Sequence, residues 1–124
     1  MVDVPPEPSD MEAAIRYRLH YTIAKDLKDV TTEDFFHAVS LAVKDAAVDR
    51  LLESRRRFAD QDAKRVYYLS LEFLPGRTLG NNLLNLGLYD SCRDALKALG
   101  ANIEDLRKVH AAGANSAAAA AAGA

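Results

Sequence analysis

Glu72, Gly76 and Arg77 are the residues of this chain best placed to handle a ligand. A carboxylate and a guanidinium flank the chain-breaking pair Pro75-Gly76, directly after the apolar run at residues 66–73. In an open α/β sheet the carboxyl ends of the strands border the ligand crevice, so these groups stand where substrates bind. Taken without that context, Glu72 is equally a strand-end carboxylate that accepts hydrogen bonds from the following helix. The other reactive residue types form weaker patterns. Arg55, Arg56 and Arg57 are consecutive, and helical neighbours point about 100° apart, so they read as a solvated helix end rather than one phosphate patch. His20 and His37 have no Cys, His or carboxylate at metal-ligand spacing, and His110 opens an alanine-rich stretch. Cys92 lies within a helical pattern and reads as a small buried residue rather than a nucleophile.

Positioning the Glu72–Arg77 turn requires a strand before it and helices around it. Val66, Tyr67, Tyr68, Leu69, Leu71 and Phe73 are interrupted only by Ser70 and Glu72, the pattern of a strand buried on both faces of a parallel sheet. Upstream, Ser9 with Glu12 predicts a capping box and a helix over residues 10–25, whose Met11, Ile15, Leu19 and Ile23 make one apolar stripe. Thr31 and Asp34 repeat the capping signal. The apolar series Phe36, Val39, Val43, Ala47, Leu51 and Phe58 then predicts a helix over 32–59, roughly 40 Å long. A helix of that length bridges to a second subunit or domain.

Downstream, residues 78–88 predict a helix with Leu79, Leu83, Leu84 and Leu86 inward, and with Asn81, Asn82 and Asn85 bordering a polar cleft. Residues 89–99 form the next helix, ended by Gly100, and Asn102 caps a last one through Ile103, Leu106 and Val109. Five helices and a single strand make a mostly α chain with an incomplete α/β layer. A strand buried on both sides needs neighbours for its N–H and C=O groups, and no other segment reads as one. The expectation is therefore part of a larger α/β domain.

The 124 residues carry 16 basic and 18 acidic side chains, a net charge of −2, which offers no field to draw nucleic acid or an anionic membrane. One cysteine forms no internal disulfide, and the first residues lack the basic and apolar pattern of a secretory signal, so a cytoplasmic location is expected. Residues 1–8, with three prolines, read as a mobile arm and 9–109 as the folded part. The Ala-rich tail at 110–124 has nothing large to bury and reads as disorder or a frayed helix.

The stretch KRVYYLSLEFLPGRTLGNNLLNLGL at 64–88, with HYTIAKD at 20–26 and IEDL at 103–106, resembles the amino-terminal signature of the α-glucan phosphorylases. The resemblance covers about residues 10–109. It implies the amino-terminal part of a two-domain glycosyltransferase fold and an intact homodimeric enzyme. That enzyme cleaves terminal α-1,4-linked glucose from a glucan with inorganic phosphate, using pyridoxal phosphate. By the same resemblance Glu72 lies beside the sugar pocket, Gly76 and Arg77 match the family's Gly-Arg pair, and Leu74 takes a position that is tyrosine in the animal enzymes. The resemblance also implies differences. Ser9, flanked by Glu7 and Asp10, lacks the basic setting of the animal phosphorylation site. Ala59 replaces the aromatic on which AMP stacks.

After Val109 the family continues into a glycine-rich phosphate loop, where this chain has His110 and alanines, as a shifted reading frame in GC-rich DNA would give. The phosphate loop and the Schiff-base lysine are then absent from these residues, and a truncated, inactive phosphorylase is the first expectation. A non-catalytic helical module that dimerises or caps another protein is the alternative.

Overall fold

The computed structural model describes residues 10–69 and 78–109. The expected arm at 1–8, the tail at 110–124, and Glu72, Leu74, Gly76 and Arg77 lie outside the described residues. Within them the chain is mostly helical, with five α-helices in the expected order.

Helix α1 (Met11–Tyr17) is capped by Asp10, whose carboxylate accepts the Ala13 N–H at 3.0 Å. This corrects the expected capping box, since Glu12 turns away to pair with Arg16 one turn on, at 3.0 Å. An aspartate at the cap both fills an orphan donor and complements the positive helix end. The helix was expected to run to Lys25, but it widens at Arg18–Ile23 into a π-type turn. There the N–H groups of Ala24 and Lys25 both return to the Leu19 carbonyl. Ala24, at φ 58°, then enters the left-handed region and ends the helix. The stripe survives the widening, for Met11, Ile15 and Leu19 are buried and Ile23 packs on the core.

A short 3-10 turn (Leu27–Asp29) leads into α2 (Thr32–Asp60). Its capping box forms as the sequence predicts: the Asp34 N–H donates to Thr31 Oγ1 while the Asp34 carboxylate accepts the Thr31 N–H at 2.9 Å. The 29-residue helix is about 43 Å long. Only its first half enters the core, through Phe35, Phe36, Ala38, Val39, Ala42, Val43 and Ala46. The predicted continuation of the stripe is not buried, as Ala47 and Leu51 are exposed and Phe58 is 50% exposed. The apolar periodicity is real, but burial ends at Ala46, and beyond it the residues of α2 are partly or fully exposed, so the second half projects from the core.

Three short helices close the core: α3 (Thr78–Leu86), α4 (Tyr89–Ala98) and α5 (Ile103–Lys108). Leu83, Cys92, Leu96, Ile103 and Leu106 interdigitate with the α1 and α2 stripes. Gly100, at φ 82°, turns the chain after α4, and the Asn102 side chain accepts the Glu104 N–H at 3.0 Å to start α5. Leu79, Leu83 and Leu86 face inward as expected, whereas Leu84 is 63% exposed. With 3.6 residues per turn, Leu83 and Leu84 cannot both face the same neighbour, and Leu83 takes the core.

The strand is the main structural correction. Residues 66–69 form no strand, and Val66, Tyr67, Tyr68 and Leu69 are 94, 78, 86 and 94% exposed. The rest of the expected strand lies outside the described residues. The physical cause is the shortage of partners noted in the sequence: among the described residues no second strand offers its backbone, so neither ladder nor burial develops.

Candidate functional site

What the described residues contribute to the Glu72–Arg77 turn is the framework on either side of it. On the carboxyl side, α3 is tied down at both ends. Near its start, Gly80 is buried under Arg107, whose Nε would lie 3.1 Å from a Cβ built at that glycine. Arg107 is itself held by Glu104 at 3.1 Å, and the same carboxylate oxygen accepts the Tyr89 hydroxyl at 3.1 Å. At the far end of α3, Arg50 of α2 donates to the Leu86 carbonyl at 2.6 Å, satisfying a terminal acceptor. These ties fix the position of α3 in the bundle. Asn81, Asn82 and Asn85 are all exposed on the outer side of α3.

On the amino side of the framework, the π-type turn and α2 are locked by two ion pairs. Arg18 bonds Asp45, joining the widened turn to mid-helix. Lys25 donates to Asp34 at 2.7 Å, in the capping box itself. Asp34 is the most perturbed carboxyl described: the hydrogen bond from Lys25, with those from Thr31, lowers it to about 2. Neither Lys25 nor Arg107 was singled out from the sequence. The local i,i+3 signal of Glu104 and Arg107 was available, but the reach of Arg107 to Gly80 and of Tyr89 to Glu104 crosses between helices and has no local signature.

The remaining candidates resolve toward structural roles. Cys92 is buried, and burial pushes its thiol up to about 12, so it stays protonated and unreactive at neutral pH. His20 packs edge-on to Tyr21 at 4.6 Å and His37 against Phe36 at 5.9 Å. Among the described residues no group of His, Cys, Asp and Glu is arranged to hold a metal. Arg55, Arg56 and Arg57 are exposed along the projecting half of α2. A shallow depression between α1 and α4 gathers Asp10, Glu12, Ser91 and Asp94, but its carboxylates are already engaged by the Ala13 N–H, Arg16 and Arg93. No described lysine is buried. No described helix is long and apolar enough to cross a membrane.

An apolar run and the sequence Glu-Phe-Leu-Pro-Gly-Arg, set between a very long helix and an Asn-rich one, mark an amino-terminal part of an α-glucan phosphorylase. The chain belongs to that family, as comparison with known proteins shows. Over 101 residues, 82% of the chain, it is 40% identical to human liver glycogen phosphorylase. Over the same length it is 38% identical to the human brain form and to the bovine liver form. The chain spans 12% of the length of each of these relatives. No protein-family profile matches it.

Proposed function

We propose that this chain is an amino-terminal portion of a cytoplasmic α-glucan phosphorylase and that residues 72–77 form one wall of its sugar pocket. The 40% identity to human liver glycogen phosphorylase across 101 residues carries this reading. In the intact homodimeric enzyme a terminal α-1,4-glucosyl unit passes to inorganic phosphate. The bond from glucose C1 to the glucan oxygen breaks, a bond from C1 to a phosphate oxygen forms, and the departing oxygen takes a proton. Glucose 1-phosphate is the product.

Within that scheme Glu72 accepts hydrogen bonds from sugar hydroxyls, and Arg77 anchors the turn. Leu74 and Gly76 belong to the same proposed pocket wall. Pyridoxal phosphate would supply a phosphate group for proton exchange with the substrate phosphate, but the described residues do not fit it. Their lysines are all at least partly exposed. By the resemblance, the Schiff-base lysine that holds the cofactor lies in parts of the relatives that this chain does not span. The 124 residues alone are not catalytically competent on this reading.

A non-catalytic interaction module is the second reading. The exposure of Leu51, Leu52 and Phe58 on the projecting half of α2 supports it. A graft tests the first reading. Residues 10–109 replace the matching region of human liver glycogen phosphorylase, and glucose 1-phosphate release from glucan and phosphate is assayed for the graft and for the isolated chain. Release by the graft and none by the chain is the expected result. A folded, cofactor-loaded graft without activity would reject it.

A further inference from the structure

We propose that Arg107 is a positioning residue for the phosphorylase reaction. Seated over Gly80, it holds the first turn of α3, the helix to which residues 72–77 are joined; this rests on the reading of those residues as a pocket wall.

Gly80 has no conformational reason to be glycine. It lies in the first turn of a nine-residue helix, where alanine is the better helix former. Its φ is not positive, unlike those of Gly87 and Gly100. What leaves no room for a side chain is Arg107, since a Cβ at Gly80 would lie 3.1 Å from Nε and 3.7 Å from Cδ and Cζ. Close approach of a neighbouring group is the other use of glycine.

Arg107 is held at both its ends. Its backbone belongs to α5, whose Ile103 and Leu106 are buried in the core. Its guanidinium donates to the two carboxylate oxygens of Glu104 at 3.1 and 3.3 Å, and Tyr89 of α4 donates its hydroxyl to Glu104 at 3.1 Å. A planar guanidinium fixed in this way makes a firm seat. Arg93 offers a contrast. Its side chain is 49% exposed against 48% for Arg107, and it also bonds carboxylates, but Asp90 and Asp94 lie on its own helix. Exposed ion pairs of that kind contribute little, whereas Arg107 touches a second helix.

The covalent chain carries the effect onward. Thr78, the first residue of α3, follows Arg77 directly, and successive Cα atoms are about 3.8 Å apart. A shift of the first turn of α3 is therefore passed to Arg77. Misplacement of about 1 Å at a reacting site costs on the order of 100-fold in rate, so the smaller displacement that a Cβ at Gly80 demands corresponds to about tenfold.

The test uses the graft of residues 10–109 and its G80A, R107A, G80A/R107A and R93A variants. It measures kcat, the KM for glucan and for phosphate, pyridoxal phosphate content and melting temperature. G80A and R107A should each lower kcat about tenfold, while both KM values and the cofactor content stay within about twofold. The double variant should be no slower than R107A, because glycine and guanidinium form one contact. G80A should not lower the melting temperature, since alanine favours the helix, so its slower turnover separates positioning from folding. R93A should stay within about twofold of the unsubstituted graft.

Full kcat in G80A and R107A overturns the proposal alone and leaves the pocket reading standing. So does a loss that multiplies in the double variant, or an equal loss in R93A. A rise in the KM for phosphate confined to R107A would make Arg107 a direct ligand, and so also overturns it. A folded, cofactor-loaded graft without activity rejects the pocket reading, and the proposal with it.

Discussion

Replacing Asp34 by Asn tests whether the α1–α2 corner is held by charge as well as by hydrogen bonding. In the native chain the Asp34 carboxylate takes the Thr31 N–H at 2.9 Å, the Thr31 hydroxyl at 2.9 Å and Lys25 Nζ at 2.7 Å. Asparagine keeps one acceptor oxygen for the cap but loses the charge that binds Lys25 and complements the start of the 29-residue helix. The carboxyl is lowered from 3.8 to about 2, the Lys25 hydrogen bond being the largest cause. At about 1.4 kcal/mol per pKa unit, this caps the contribution of the charge near 2 kcal/mol.

Lys25 is 41% exposed, and water screening lowers the expected loss in D34N at neutral pH to about 1 kcal/mol. That is a sizeable part of the stability of a bundle this small. The sign follows from the direction of the shift. A depressed carboxyl contributes fully above its unfolded value and loses the contribution as pH falls through its folded value. Urea unfolding of both proteins, followed by far-ultraviolet circular dichroism, should show a constant gap from neutral pH to about pH 4, closing as the pH falls to about 2. A gap unchanged at about pH 2, or absent at neutral pH, would refute the role given to the carboxylate charge.

Three further substitutions and one labelling treatment test the packing. Leu96→Ala empties a fully buried site where α4 meets the core and should cost about 2–5 kcal/mol, whereas Leu84→Ala, mostly exposed, should stay within about 0.5 kcal/mol in the same denaturation assay. Gly100→Ala places a Cβ at φ 82°, with open space around it, so the expected cost of about 1 kcal/mol in thermal unfolding is backbone strain alone. The Cys92 thiol, buried and held protonated, should react with a maleimide at least about 100-fold more slowly in the native chain than in urea.

Legibility in the sequence followed the range of the interactions. The Thr31–Asp34 capping box, the Gly100 turn and the Asn102 cap depend on residues within one turn of each other, and each forms as expected. The stripe of Met11, Ile15 and Leu19 was equally local, because helical periodicity alone sets which face is apolar. The π-type turn at Arg18–Ile23 was not legible. Its widening is stabilised by the bond from Arg18 to Asp45, a residue 27 positions away. The outward half of α2 was misjudged for a related reason, since periodicity gives the face of a helix but not how far along it neighbours extend. Tyr67 and Leu69 show the same limit from the other side: their pattern is that of a buried strand, yet burial requires strands that the described residues do not include. Of the candidate site, the sequence supplied Glu72, Leu74, Gly76 and Arg77. The clamp of Arg107 over Gly80, which positions the helix after them, needed the packed structure.

The most direct test of the account replaces Glu72 by Ala in the graft of residues 10–109 onto the liver relative, and measures glucose 1-phosphate release alongside pyridoxal phosphate content. A fall of at least about 100-fold in kcat/KM, with the cofactor content unchanged, is the result expected of a sugar-pocket wall. Activity within about twofold of the unsubstituted graft would contradict it.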